Sequence, residues 1–321
     1  MSNNTLDNSN ISVHLGKTSQ YKSTYDSTIL VREPRQSNRT YLDIHADNLP
    51  FVGFDTWNAY ECSFLLNNGC PVTGVCKLTY PASSESIVES KSIKLYFNSF
   101  NMQKMGNSLK EAITSFSKLV GGDLCSLLKT NVQVAFIPGH VYDTTQVSAH
   151  NFYNKDQYIT LENSIDEKEL YSTTFDVYKE TPSLLLYSSD VLNTDSNIMD
   201  AAREQYFHSG LLKSNCRVTS QPDWGDVYIY IKANQEVNKL SLLKYIVSFR
   251  EECHFHEEIC ECIYKRLQTM FNPQELFVMC LYARRGGIDI NPMRASNNTL
   301  LYNKSGNLLD VFSPHVKTSK Q

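Results

Sequence analysis

The chain has 321 residues, a formal net charge of −4 and 41% apolar residues. That length allows two domains or one large one with a sizeable core, and the slight acidity argues against a surface built to coat nucleic acid. Nine cysteines, no signal-peptide pattern and no apolar run long enough to span a membrane predict a reduced, cytoplasmic protein with free thiols.

Residues 1–13 are rich in Asn and Ser and predict a disordered tail. Gly16-Lys17-Thr18 looks like the end of a phosphate-binding loop but fails, because Ile11 stands where the earlier glycine belongs and no apolar strand precedes it. Residues 46–57 read as a loop entering a strand at 60–66, with a second strand at 76–80. An apolar element begins at 93–97, helical spacing runs through 109–127, and 131–138 is strand-like up to a Pro-Gly turn. The polar stretch 142–175 is the best candidate for a boundary. It divides the chain into 14–175 and 176–321. Beyond it the pattern predicts a strand at 184–187, a helix at 199–208, a strand at 226–231, a helix or strand at 240–250, a helix at 256–270 and a strand at 276–282.

Two stretches echo each other. Ser92-Ile-Lys-Leu-Tyr96-Phe-Asn-Ser99-Phe100 resembles Ser241-Leu-Leu-Lys-Tyr245-Ile-Val-Ser248-Phe249, at an offset of 149 (248 − 99). Asn-Gly-Cys70-Pro-Val-Thr73 fainter echoes Ser-Asn-Cys216-Arg-Val-Thr219, at an offset of 146 (216 − 70). Two near-repeats at almost one spacing suggest duplicated halves of ordinary domain size.

Residues 212–224 carry the sharpest chemistry. Cys216 stands seven residues before Asp223, and Gln221-Pro222 favours an extended or turn geometry ahead of a strand. A thiol with a nearby proton donor suits covalent catalysis, while a buried inert cysteine is the plainer alternative. Cys70 lacks the Gln-Pro-Asp that follows Cys216 and reads as its inert counterpart. Glu89-Ser90-Lys91-Ser92-Ile93-Lys94 combines hydroxyls and ammonium groups that suit phosphate, or else forms an ordinary solvated helix start. The run 253–262 is dense in ligand-type side chains. Its spacing matches no zinc knuckle, and His256-Glu257 opening a helix serves equally to grip a polar heterocycle. Arg284-Arg285-Gly286-Gly287 brings guanidinium groups beside backbone that can approach an anion, or is simply a basic turn.

Together these stretches closely resemble the NADPH-dependent 7-cyano-7-deazaguanine reductases (QueF), the nitrile reductases of queuosine biosynthesis, in their longer two-module form. The likeness rests on residues 89–96, 214–224, 248–257 and 284–292, with 15–17, 25–26 and 46–51 near the start. It implies an α+β tunnelling fold: two tandem modules whose antiparallel sheets join into a barrel in a homodimer. It also implies that Cys216 attacks a nitrile to form a thioimidate and that Asp223 acts as general acid. Val88, Glu89, Ser90, His256 and Glu257 would contact the substrate, and Ser90, Lys91, Arg285 and Gly286 would contact NADPH. No resident metal, membrane or direct nucleic-acid contact is implied. Two other readings stay open: a relative that lets ammonia attack the same thioimidate, and a zinc-dependent cyclohydrolase of the same fold built on Cys253, His256 and Cys260.

Overall fold

The computed structural model describes residues 22–139, 157–188 and 202–301. Gly16-Lys17-Thr18 and the tail over 1–13 lie outside them. The described chain is a mixed α+β structure built on one large, mainly antiparallel sheet. Eleven strands appear in chain order: β1 (Arg32–Pro34), β2 (Val52–Leu65), β3 (Pro71–Pro81), β4 (Ser86–Val88), β5 (Gln133–Pro138), β6 (Ile159–Thr160), β7 (Arg203–Ser209), β8 (Lys213–Asn215), β9 (Pro222–Ala233), β10 (Glu275–Tyr282) and β11 (Ile288–Ala295). The helices are α1 (Gln36–Tyr41), α2 (Ser90–Asn98), α3 (Leu109–Leu128), α4 (Leu161–Ser164), α5 (Glu167–Ser172), α6 (Lys239–Val247) and α7 (His256–Phe271). The sheet runs β5-β3-β2-β11-β10-β9-β7-β6, with β8 paired to β9 outside this path, and β1 with β4 form a separate pair. Only β6 with β7 is parallel among the named pairs of the large sheet.

The join at the middle of the sheet positions the site. β11 lies antiparallel to β2 from Ile288 opposite Ala59 to Ala295 opposite Val52. It therefore carries the 284–287 turn to the first-half elements. Gly53 permits close approach there, since a Cβ would sit 2.1 Å from the Met293 carbonyl oxygen. Alternation explains the two faces of β2. Trp57 and Ala59 enter a core shared with α2 and α3, whereas Phe54 packs with residues of the opposite face such as Phe277 and Met293; a register shift between Ala59 and Cys62 returns the even-numbered Phe64 to the Trp57 face. α6 and α7 cover the second half of the sheet through Leu243, Tyr245, Ile259 and Ile263. α2 and α6 are both nine residues long and start 149 residues apart (239 − 90). α6 follows the long strand β9, α2 follows the long β3 by way of the short β4, and each precedes a long helix. No helix among the described residues is long and apolar enough to cross a membrane.

Several expectations need correction. The stretch 52–57 is strand, not loop, and the apolar element at 93–97 is helix α2. The strand expected at 184–187 is a 3-10 turn, Pro182–Leu184, followed by a single bridge from Tyr187 to Val237. The helix expected over 199–208 is strand β7 where it is described. Arg203, Glu204 and Gln205 favour helix locally, but pairing along β9 overrides that preference. β11 escaped notice because Pro292 reads as a break or an edge, yet this strand sits between β2 and β10.

A buried charge cluster fastens the join. Arg35, at the N-cap of α1, pairs with Asp55 of β2, and Arg294 of β11 reaches the same carboxylate at 2.8 Å. Glu261 of α7 receives Arg39 at 2.7 Å and Arg294 at 2.9 Å. All five side chains are buried. Burial alone would push both carboxylates up, but Arg294 and its neighbours hold Asp55 and Glu261 below the usual range. Such a cluster gives little net stability, whereas removing one member leaves an uncompensated buried charge.

Candidate active site

β8 and β9 form a hairpin with Asn215 opposite Pro222 and Ser214 opposite Asp223. The turn between them holds Cys216. Its N–H donates to the Gln221 carbonyl at 2.8 Å, and Ser220 N–H donates back to the Cys216 carbonyl at 2.9 Å. Seven residues of sequence thus become near neighbours across a hairpin. Burial by itself would raise the Cys216 thiol. Hydrogen bonds from the Thr219 side chain, the Arg285 guanidinium and the 218 and 219 amides outweigh it and bring the thiol below its usual value.

Asp223 lies between two partners. Arg285 Nη1 approaches Oδ1 at 2.9 Å, and His256 Nε2 stands 3.4 Å from Oδ2. His256 opens α7 and stacks on Tyr282 at 3.9 Å between ring centroids. Neither of its ring nitrogens makes a hydrogen bond among the described residues, although both are buried. Glu257 follows. Burial pushes its carboxyl up to about 8, Asp55 adds to that, and Arg35 opposes it. Its Oε1 has no hydrogen-bond partner among the described residues. Buried polar atoms without partners are costly, and sites that bind ligands leave them waiting.

Two cavities meet at the cysteine. The inner one, of about 300 Å³, is lined by Trp57, Val88, Cys216, Asp223, His256 and Glu257, among others. The outer one, of about 690 Å³, takes in Lys91, Lys94, Thr219, Gln221, Arg285 and Gly286. Ser90, Cys216, His256, Arg285 and Ile290 border both. The outer cavity gathers three cationic side chains beside a glycine in the left-handed region (φ 63°), where a Cβ would fall 2.7 Å from Lys94 Nζ. That donor set and open backbone fit a phosphorylated cofactor such as NADPH.

Of the residues the sequence nominated, Val88, Ser90, Lys91, Cys216, Asp223, His256, Glu257, Arg285 and Gly286 converge here. Glu89 does not line either cavity. Its carboxylate caps α2 by accepting from the Lys91 and Ser92 amides at 3.0 and 2.7 Å, which fixes Ser90 and Lys91 at the cavity edge. Arg285 does more than face the outer cavity, since it also contacts Asp223 and the Cys216 sulfur. Trp57, Lys94, Thr219 and His254 were missed. Lys94 lay inside the quoted 89–96 motif, and Thr219 follows Cys216 by three residues, so both were within reach of the sequence. Trp57 and His254 needed the fold.

The proposed zinc set does not assemble. Cys260 Sγ faces the Val278 and Pro292 carbonyls at 3.6 Å in the core, and Cys253 is exposed. No three His, Cys, Asp or Glu side chains among the described residues are grouped to hold a metal ion.

A family profile described as nitrile reductase, 7-cyano-7-deazaguanine-reductase N-term matches residues 21–136, and one described as QueF-like protein matches 222–299. The NADPH-dependent 7-cyano-7-deazaguanine reductase of Ralstonia nicotianae is 39% identical over 89% of this chain and 93% of its own. Those of Colwellia psychrerythraea and Rickettsia felis are each 38% identical, over 88% and 89% of this chain and 91% and 93% of theirs. The solved apo archaeosine synthase QueF-Like overlaps 30% of the chain and 92% of its own, at 16% identity and a TM-score of 0.26, too little for any structural argument. With matches of that extent to curated relatives, the chain belongs to the 7-cyano-7-deazaguanine reductase (nitrile reductase) family.

Proposed function

We propose that the protein reduces the nitrile of 7-cyano-7-deazaguanine to the aminomethyl group, using two NADPH per nitrile. The observation that carries this reading is Cys216, its thiol lowered, at the meeting of an inner cavity ending on Glu257 and an outer basic cavity. The named relatives support the substrate and cofactor. In the inner cavity Glu257 pairs with the N–H groups of the guanine-like edge, and His256 and Val88 frame the ring. Cys216 thiolate attacks the nitrile carbon. One C–S bond forms, the C≡N bond becomes C=N, and the nitrogen takes a proton from the Asp223 carboxyl, giving a thioimidate. Bound NADPH supplies hydride. The chain's own part is then to hold that carbon against the outer cavity, return the proton to nitrogen, and release Cys216 as the C–S bond breaks. Arg285 and Thr219 stabilise the thiolate on departure as on attack. Ser90, Lys91, Lys94, Arg285 and Gly286 hold the cofactor phosphates. Cavity walls such as Trp57 and Ile290 limit water, which would otherwise hydrolyse the intermediate.

We also read the chain as two tandem tunnelling-fold modules, 14–175 and 176–321, in a cytoplasmic homodimer. The 149-residue recurrence of α2 in α6 supports the pairing of modules. β5 and β6 close the sheet path with one strand neighbour each among the described residues, and a second copy would supply the missing ones. Light scattering at twice the chain mass is the expected result.

The decisive test of activity is NADPH oxidation with and without the nitrile, alongside the intact mass of the protein. Oxidation of two NADPH per nitrile and an adduct on Cys216 support reduction. An adduct without oxidation shifts the reading to the ammonia-using relative.

A further inference from the structure

His254 is used by neither step of that chemistry, yet more ties cross it than any neighbouring side chain explains. It lines the inner cavity and is mostly buried. Its Nε2 stands 3.2 Å from Glu252 Oε2, and its Nδ1 stands 3.2 Å from Glu258 Oε2. Each carboxylate is committed elsewhere as well. Glu252 accepts the Glu180 amide at 2.9 Å. Glu258 caps α7 by accepting the Phe255 amide at 3.0 Å, and its other oxygen receives Arg217 at 3.0 Å. Arg217 directly follows Cys216 and lies over the Phe255 ring at 5.4 Å. The backbone repeats the link: His254 N–H donates to the Asn215 carbonyl at 3.1 Å, and Asn215 N–H donates to the Glu252 carbonyl at 2.7 Å. The His254 side chain thus ties Glu252, whose carbonyl holds Asn215, to Glu258, which holds Arg217 and opens the helix carrying His256 and Glu257.

We propose that His254 is a positioning residue whose bridge between Glu252 and Glu258 holds the Cys216 loop in register with the start of α7. Covalent attack requires the sulfur and the gripped ring to agree within fractions of an ångström, and those groups sit on separate elements. A charged bridge between the buried Glu258 and the half-buried Glu252 sets that distance more firmly than packing alone, because losing the cation leaves like charges facing each other.

Charge on His254 gives the bridge a pH signature. Burial opposes the imidazolium, but Glu252 and Glu258 outweigh it and raise His254 from its ordinary 6.5 to about 9. A raised histidine contributes fully below its unfolded value and loses that contribution as pH rises through the folded one, here between 6.5 and about 9. The other charged groups around it are Arg217 on the cysteine loop, Glu33 on β1, which faces Arg217 and Glu258, and Lys179, which acts on Glu252. Cys216, Asp223, His256, Glu257 and Arg285 share its cavity. Glu257 titrates lower, near 8, and thiolate formation at Cys216 raises reactivity with pH, so neither produces a fall above 9.

The test compares wild type, His254→Gln and His254→Lys by the rate of Cys216 alkylation with iodoacetamide and of adduct formation with 7-cyano-7-deazaguanine, from pH 6 to about 11. In wild type both rates fall as pH passes about 9. His254→Gln lowers adduct formation by about tenfold to a hundredfold and removes the fall, with NADPH affinity changed by less than about twofold. His254→Lys keeps a cation between the carboxylates, recovers the rate to within about threefold and moves the fall above about pH 10. A glutamine variant that keeps the wild-type rate and pH profile overturns the proposal, as does a folded lysine variant no faster than glutamine. If the glutamine variant fails to fold, the shift of the fall between wild type and lysine decides. The inference rests on Cys216 as the nucleophile of the proposed function. Alkylation needs no nitrile, so a wild type that alkylates with this profile but forms no nitrile adduct overturns the reductase reading alone.

Discussion

Cys70 and Cys216 stand 146 residues apart, each just before a long strand, β3 or β9, that leads to a nine-residue helix. Their surroundings differ in every respect that matters for reactivity. Cys70 is exposed, and its sulfur stands 3.9 Å from the Pro71 carbonyl. Cys216 is buried, ringed by Thr219, Arg285 and backbone amides, and opens on two cavities. The lesson is that a thiol at the entry of such a strand is not enough. Chemistry appears where a hairpin returns an acid beside the thiol, where a turn from the neighbouring hairpin supplies a cation, and where buried polar atoms await a ligand. The first half contributes cavity walls and frame instead of a thiol: Trp57, Val88, Ser90, Lys91 and Lys94 line the cavities, held by the α2 cap at Glu89 and the cluster anchored on Asp55.

The largest effect separates the two cysteines. Cys216→Ala abolishes both adduct and turnover, whereas Cys70→Ala leaves the turnover rate within about twofold, because nothing around it activates the sulfur. A large loss from Cys70→Ala breaks the comparison. Asp223→Asn comes next. It slows turnover by about 10²–10⁴-fold, the usual worth of a positioned proton donor, while intact-mass measurement still finds some adduct.

The carboxylates sharpen the contrast between frame and site. Arg294→Met leaves Asp55 and Glu261 short of a partner and costs about 3–5 kcal/mol of stability in urea unfolding. Glu257→Gln acts in the opposite direction on stability. Its carboxyl is raised from 4.5 to about 8, so holding it buried costs stability that grows as pH climbs through that window and levels off above it. The glutamine variant is therefore more stable than wild type at pH 8, by a margin that shrinks towards pH 5, yet its affinity for the nitrile substrate falls by about tenfold or more. Equal stability at both pH values removes the burial argument.

The sequence made the long elements legible. α3 and α7 announced themselves by helical spacing, and β3, β9 and β10 by runs of β-formers. Local signals failed where pairing decided the outcome, as in β7 and in β11 with its proline. For the site, Cys216 and Asp223 were readable because a hairpin places sequence neighbours together, and His256 and Glu257 because a helix start presents both. Trp57 and His254 were not readable. Trp57 reaches the cavity only because β2 and β11 pair across the middle of the sheet. His254 matters only because Asn215 and Glu258 arrive from different elements. Arg285 was readable as a basic turn residue but not as a partner of Cys216 and Asp223.

The smallest effect concerns the loop itself. Ser220 adopts a left-handed backbone, φ 55°, two residues before Pro222, while in the first half the left-handed residue beside the cysteine is Gly69, φ 90°. A serine there carries about 1–2 kcal/mol of local strain that glycine would relieve. Glycine also frees the unfolded chain, which returns about 0.5–1 kcal/mol to the other side. Ser220→Gly thus raises the melting midpoint by no more than a few degrees. Its effect on rate is the sharper readout. If the strain only closes the turn, Cys216 alkylates at the wild-type rate in the glycine variant, because the Gln221 and Ser220 backbone bonds still define the loop. A several-fold slower alkylation in a protein of equal or greater stability would mean that the strained serine, absent from the Cys70 loop, is part of what aims the sulfur.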